Sequence, residues 1–429
     1  AEDGIRDLVR SRGLGDVYKR QRKVYVELPP EDYEEGMCGR LKKSMYGTRD
    51  AAQNWERECA SKLLSWGFTK GTASSCVYYH RQRDIQLYIH GDDFVEVAAD
   101  NHIKWIQKQL NSVYDMKSSI MGSDVKDAKQ QKILNRIVTW RSDCIEYEAD
   151  PRHAEIIIKI SHDDKISKVP GSKCDNDREL SPELSPQEST QYRAAAARCN
   201  FLAIDRPDIQ YASKEASKYM SNPRQCDWDL INKIGRYLKF RPRLKHVFSV
   251  NHDMEFVDAC VDSDWAGDKI SRKSTIGAIL KVGGHAVKTY SRNQKTIALF
   301  SGEAELYAIV SGIAEAIGIQ SICADYGFTC KIRCFSDSSA AVGIVKRDGI
   351  GKVRHLQTQF LWVQEMTNNG KATIHKVGTN SNPADLLTKY LDSNTIEQHL
   401  QRIHLHSSLH RPSQAPLLIN HMHANAQWA

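Results

Sequence analysis

The sequence lacks any apolar run approaching the roughly 20 residues that a helix needs to cross a bilayer, so a membrane-spanning protein is not expected. It also lacks a basic stretch followed by an apolar core at its start. The expectation is therefore a cytoplasmic or nuclear protein, not secreted, in a reducing compartment. Paired cysteines are missing too: the 11 are scattered, and the closest two, Cys330 and Cys334, form neither a CxxC redox motif nor half of a zinc-type set. They read as reduced thiols, mostly in the core. Neither charge sign dominates, since 60 Lys and Arg against 53 Asp and Glu leave +7. That is compatible with a polyanionic partner and specifies none.

What is present is length and ordinary globular composition. With 429 residues, 41% hydrophobic and 26% charged, the chain has room for two or three domains. Residues 1–21 are polar, have no apolar stripe and do not begin with Met, which suggests a fragment. Their last nine, Gly-Leu-Gly-Asp-Val-Tyr-Lys-Arg-Gln, look like a translated adapter tail, and the stretch is left unassigned as a suspected artefact. From Lys23 the pattern predicts a short strand at 24–28, a helix over 51–66, a hairpin of strands 85–89 and 94–98, a helix over 101–113 and a strand near 144–147. A helix after Asp150 leads into the clearest linker, 161–189, rich in Asp, Ser, Pro and Lys. Helical periodicity resumes over 191–220 and 227–240. Beyond Glu255 come strands at 255–261, 275–282 and 286–291, a long helix over 302–326, a strand at 331–336, helices from 338 and over 355–368, a strand at 372–377 and a last helix opened by Asn382-Pro383. That order describes an α/β domain with a mixed sheet. Residues 392–429 are polar and His-rich, and read as a disordered tail.

Four carboxylates hold telling places in this last domain: Asp262 where the first strand ends, Glu305 early in the long helix, Asp337 where the fourth strand ends, and Asp385 in the last helix's first turn. Helix capping accounts for Asp337 before Ser338, and a positive helix end suits Asp385. A solvated strand end accounts for Asp262 and Asp264. Glu305 is harder to dismiss, because its helical neighbours Ala308, Ile309, Gly312 and Ile313 form the stripe that should face the sheet. A carboxylate there needs a partner or a metal. Several acids brought to one sheet edge repel one another unless cations intervene, and hard oxygen ligands favour two magnesium or manganese ions. Such a pair hydrolyses phosphodiesters, which makes this a nuclease pattern.

Five ordered segments, VDSDWAGDKISRKSTIGAIL, SGEAELYAIVSGIAEA, CFSDSSAAVGIV, VRHLQTQFLWVQE and NSNPADLLTK, resemble the RNase H domain of copia-type LTR retrotransposon Pol polyproteins. The resemblance implies that Asp262, Glu305, Asp337 and Asp385 are the metal-binding carboxylates, with Asp264 and Glu303 as accessory neighbours. It implies as substrate the RNA strand of an RNA–DNA hybrid, read through 2′-hydroxyls and phosphates. Lys269, Arg272 and Lys273 are candidates for those phosphate contacts, or else a solvated loop. His355 matches the family's Arg-His segment. The loop before the last acidic helix, 377–381, has no His, so slow product release or substitution by His375 is expected.

Upstream, LKKSMYGTRDAAQNWERECASKLLSWGF and SSCVYYHRQRDIQLYIHGDDFVEVA resemble the later part of a reverse-transcriptase palm of the same polyproteins. Asp92 and Asp93 match its hairpin Asp pair, although Tyr88, His90 and Gly91 depart from the commoner Tyr-x-Asp-Asp. Nucleotidyl transfer needs a further Asp from an earlier strand, and Asp16 is a poor stand-in, so reverse-transcriptase activity is not expected unless another chain completes the site. Residues 192–220 and 228–246 resemble the connecting region. There Arg236, Lys239, Arg241, Arg243 and Lys245 interleave with Tyr237 and Phe240, either tracking a nucleic-acid backbone or dividing between core and water. The resemblance covers roughly residues 23–391 and includes no protease or integrase motif. The expected fold is thus α/β and α+β multidomain: a partial reverse-transcriptase palm over 22–125, a mostly helical connection over 126–250, an RNase H-like mixed five-stranded sheet with helices over 251–391, and the tail. A decayed, non-catalytic nucleic-acid-binding remnant is the competing expectation.

Overall fold

Ile85, Leu87 and Ile89 alternate with less buried neighbours, which makes a strand with one buried face, and the rest of the first unit is built around it. The computed structural model describes residues 5–8, 23–42, 44–45, 47–161, 164–172, 178–250, 254–351, 355–356 and 358–416. The chain divides into two compact units, one of residues 1–118 and 321–329, the other of residues 119–320 and 330–429. In the first, β1 (Ile5–Leu8), β2 (Tyr25–Val26) and β3 (Cys38–Leu41) form a small sheet in the order β1-β3-β2. Residues 5–8, set apart in the sequence, are therefore a paired strand, while most of 1–21 lies outside the described residues.

After α1 (Ala51–Ser65) come β4 (Thr69–Lys70), β5 (Val77–His80), β6 (Ile85–His90) and β7 (Asp93–Val97), each bonded to the next, and then α2 (Asp100–Asn111). Cys59 and Leu63 of α1, with Ile106 and Leu110 of α2, bury Tyr78, Ile85 and Leu87 of the sheet. The expected hairpin is present, with His90 opposite Asp93. Gly91 takes φ +61° at the first turn position, which favours glycine.

The second unit opens with β8 (Gln130–Ile133), β9 (Arg136–Trp140) and β10 (Cys144–Glu148), followed by α3 (Pro151–Ile160), α4 (Pro186–Ala203), α5 (Pro207–Ser217), α6 (Trp228–Phe240) and β11 (Arg243–Ser249). The connection is thus less helical than its sequence suggests: four of its strands enter a five-stranded antiparallel sheet. The linker also ends earlier than expected. Ser185 accepts from the Glu188 amide and Glu188 from the Ser185 amide, a capping box that starts α4 at Pro186. The single helix expected over 191–220 is two, because Pro207 has no amide hydrogen to continue α4 and instead opens α5.

The remaining elements are β12 (Phe256–Asp264), β13 (Thr275–Val282), β14 (His285–Asn293), α7 (Ser301–Asp325), β15 (Lys331–Ser336), α8 (Ser339–Lys346), α9 (Trp362–Asn368), β16 (Ala372–Lys376), a 3-10 helix at Pro383–Leu387, α10 (Ser393–Arg402) and β17 (Leu405–Ser408). Their mixed five-stranded sheet runs β14-β13-β12-β15-β16, antiparallel as far as β12 and parallel beyond. Helix α7 is, by length and composition, long and apolar enough to cross a membrane, although its apolar residues form no unbroken run. Ala308, Ile309 and Ile313 of α7 are fully buried, and a Cβ on Gly312 would meet Val261 of β12, so its apolar character serves packing on the sheet.

Three further expectations are corrected. The helix expected from His355 begins only at Trp362, after a 3-10 turn, and His355 stands in a turn. The helix opened by Asn382-Pro383 is one 3-10 segment. Residues 393–408, expected to be disordered, are α10 and β17: Ile396, Leu400, Ile403 and Leu405 pack with Leu244, Cys260 and Ile279, and β17 pairs with β11. Charged and His residues between these positions hid a helical period in an otherwise polar segment. Residues 417–429 lie outside the described residues.

Candidate active site

Strand β12 is central to its sheet, and two glycines let other elements close on it. Gly312 lets α7 approach Val261, and Gly277, opposite Asp262 on β13, leaves room for the segment after β16. A Cβ at Gly277 would stand 2.8 Å from the Ala384 carbonyl, Leu387 and Thr388. Asn382 then pins that segment, its fully buried amide donating to the Val261 carbonyl at 2.8 Å while its oxygen accepts from the Ala384 amide. Asp262, Glu305 and Asp385 end up 3%, 7% and 6% exposed, although all are carboxylates.

Asp262, Glu305 and Asp337 each offer an oxygen within 4.8 Å of the others. Glu305 Oε1 accepts from the Ser263 amide at 3.2 Å, and Oε2 is buried with no hydrogen-bond partner among the described residues. Burial, reinforced by repulsion from Asp262 and Asp337, pushes the Glu305 carboxyl up to about 9. Asp385 is pushed up to about 7 by burial and then by Asp262. Capping does not occupy these groups: Ser338 caps α8 through the Ala341 amide, and Asn382 caps the 3-10 segment. Hard carboxylate oxygens with an orphaned buried atom among them fit a small divalent cation.

Two side chains that sequence reasoning missed complete the cluster. The Thr388 hydroxyl donates to Asp262 Oδ2. The Lys389 ammonium lies 3.0 Å from Asp385 Oδ1 and 3.8 Å from Asp262 Oδ2. Burial pulls the Lys389 pKa down, but Asp262 and Asp385 outweigh it and hold it above its ordinary value. The available signal was the four-residue spacing from Asp385 to Lys389, which places two such residues on one side of a turn.

The other sequence candidates fall elsewhere. Asp264 accepts from the Thr275 amide, and Glu303 accepts from the Leu299 amide at 2.7 Å and from the Tyr307 hydroxyl. Neither belongs to the three-carboxylate group. His355 Nε2 stands 3.1 Å from Glu303, and His375, exposed on β16, stacks on Phe335. Lys269 and Arg272 are exposed on the β12–β13 connection, with Lys273 half-buried. Lys239 lies 3.6 Å from Asp164, and Arg236 is half-buried on α6. Arg241 is a correction: it is 5% exposed, bonded to Tyr237 and paired with Glu397 at 2.5 Å, so its charge is spent inside the protein. Arg243 is likewise paired with Glu148, and Tyr237 is a core residue.

In the first unit, Asp92 and Asp93 are exposed at the β6–β7 turn, which Trp55 anchors by donating to the Gly91 carbonyl at 2.6 Å. Among the described residues no group of three potential metal ligands includes either aspartate.

Residues 15–127 match the reverse transcriptase (RNA-dependent DNA polymerase) family, so the match begins inside the stretch set apart as suspect. The Retrovirus-related Pol polyprotein from transposon TNT 1-94 of Nicotiana tabacum is 26% identical over 407 residues, 90% of this chain and 30% of its own length. The corresponding polyprotein from transposon RE2 of Arabidopsis thaliana is 24% identical over 398 residues, 89% of this chain and 26% of its own. The chain thus spans less than a third of the curated relatives it matches. A foamy viral protease-reverse transcriptase solved with an RNA/DNA hybrid aligns over 81% of this chain and 40% of its own at 12% identity, with a TM-score of 0.47, too loose a likeness to add weight.

A segment similar to the reverse transcriptase family is thus followed along the chain by the mixed five-stranded sheet that carries the carboxylate cluster. The resemblance to copia-type Pol polyproteins of retrotransposons extends over about 90% of the chain.

Proposed function

We propose that the second unit hydrolyses the RNA strand of RNA–DNA hybrids in the manner of RNase H, with two magnesium or manganese ions. The observation that carries this reading is the convergence of Asp262, Glu305 and Asp337 within 4.8 Å of one another, with one Glu305 oxygen buried and unpartnered. Asp262, Glu305 and Asp337 would hold one ion, and Asp262 with Asp385 the other. When bound, such ions supply an activated water and charge stabilisation for phosphodiester hydrolysis. The chain's own contribution is to fix the carboxylates by burial, to orient Glu305 through the Ser263 amide, and to offer the exposed Lys269 and Arg272 to hybrid phosphates.

The test is cleavage of a labelled RNA–DNA hybrid by the full chain, with magnesium or with EDTA, beside single-stranded RNA and Asp262→Asn. Hybrid-specific, metal-dependent cutting that is lost in the variant supports the reading. Salt-sensitive binding without cutting by folded protein replaces it with a non-catalytic nucleic-acid-binding role. The family match over 15–127 favours a second reading, in which Asp92 and Asp93 serve polymerisation once another chain supplies a further carboxylate. Primer extension by the isolated chain tests whether that partner is needed at all.

A further inference from the structure

Lys389 divides the four carboxylates into two sets that are not alike. On one side, Asp262, Glu305 and Asp337 each offer an oxygen within 4.8 Å of the others, Glu305 Oε2 is buried without a hydrogen-bond partner, and among the described residues no ammonium or guanidinium is paired with Glu305 or Asp337. On the other, the gap between Asp262 and Asp385 is already spanned by the Lys389 ammonium, 3.8 Å from one and 3.0 Å from the other. The lysine side chain is 42% exposed, whereas the two acids it bridges are 4% and 9% exposed, so it can swing into solvent while they cannot. Its stem follows the C-cap residue Thr388, whose hydroxyl holds Asp262 Oδ2, the oxygen the ammonium also faces. A divalent ion drawn to these oxygens at about 2.1 Å would be repelled by an ammonium held in the same gap.

Resting on the metal-centre reading above, we propose that Lys389 is a resident counter-cation occupying the second ion position, so that divalent ions load in order. The first enters among Asp262, Glu305 and Asp337. The second binds only by displacing Lys389 from between Asp262 and Asp385. Lys389 is a positioning residue in this scheme: it keeps Asp262 and Asp385 together while metal is scarce, and it sets the metal concentration at which the site is complete.

The experiment is titration of the full chain with Mn2+, followed by calorimetry and by the electron paramagnetic resonance signal of coupled manganese pairs. Wild type should bind one ion tightly and a second weakly. Lys389→Met should tighten the second by about tenfold or more and leave the first within twofold, while Lys389→Arg keeps the wild-type order. If Lys389→Met fails to fold, Lys389→Gln, which keeps a polar end without the charge, carries the same expectation. Two ions of equal affinity in wild type, or a second affinity unmoved by neutralising Lys389, would overturn the proposal and leave the two-ion reading standing. Absence of any bound ion in wild type would remove that reading and the proposal with it.

Discussion

Both units place aspartates at the ends of adjacent strands, yet the two places are physically opposite. Asp92 and Asp93 sit in solvent on a tight hairpin turn, and no third ligand group joins them among the described residues. Asp262 lies on a central strand, and α7, the β15 end and the segment after β16 bring Glu305, Asp337 and Asp385 to it. In water an Asp pair has little effect on its neighbours. In a buried cluster each added carboxylate raises the cost of the next, and the pKa elevations of Glu305 and Asp385 record that cost. Carboxylates held together against their own repulsion are the ones that carry the expectation of chemistry.

The sharpest way to break this comparison is Asp262→Asn. Hybrid cleavage should fall by roughly 10³-fold or more while circular dichroism and melting stay near wild type; a variant that retains a tenth of the rate would sink the site assignment. Next in size is the pH response without metal. The Glu305 carboxyl rises from 4.5 to about 9 in the folded protein and Asp385 from 3.8 to about 7, so the folded state holds protons that the unfolded state releases. Stability in EDTA is then full below the ordinary carboxylate range and is lost as pH climbs toward 9, by an amount on the order of a few kcal/mol. Melting at pH 5, 7 and 9 should show a fall that Mg2+ reduces, and Glu305→Gln should be the more stable protein at pH 9 in EDTA. The opposite slope would mean that the cluster is better solvated than its burial indicates.

A smaller effect is expected from the glycines that let the site close. Gly277→Ala forces back the segment carrying Asp385, and should cost roughly 1–3 kcal/mol and lower cleavage more than tenfold, with Mn2+ affinity falling in parallel. A folded variant with unchanged affinity would show that this close approach is not what places Asp385. The smallest effect is expected in the first unit, where Asp92→Asn and Asp93→Asn should change hybrid cleavage by less than about twofold and stability by at most about 0.5 kcal/mol. A large loss of cleavage there would dissolve the contrast between the two places.

Much of this was legible in the chain. The nearly continuous apolar run within 275–282 and the alternation of 331–336 mark strands, and both appear with those bounds. The helical stripe Ala308, Ile309, Gly312 and Ile313 identified the buried side of α7 and thereby singled out Glu305. Failures came where distant partners override local composition. Residues 393–408 read as a polar tail, because the surface that buries Leu400 and Leu405 is supplied by Leu244 and Ile279, far away in sequence. Arg241 read equally as a nucleic-acid contact or as a side chain facing water, and neither reading could reveal its partner Glu397, 156 positions away.

Read alone, the chain already set out the elements of the last domain from β12 to β16, the resemblance to Pol polyproteins and the carboxylates worth watching, since these depend on periodicity, capping and motif order within short windows. Only the tertiary structure decided that Ser338 and Asn382 do the capping, that Glu303 and Asp264 are spent on local amides, and that Thr388 and Lys389 close on Asp262. Capping and periodicity are set by neighbours along the chain, whereas the burial and mutual repulsion that distinguish this cluster from scattered surface acids arise only when strands and helices far apart in sequence converge.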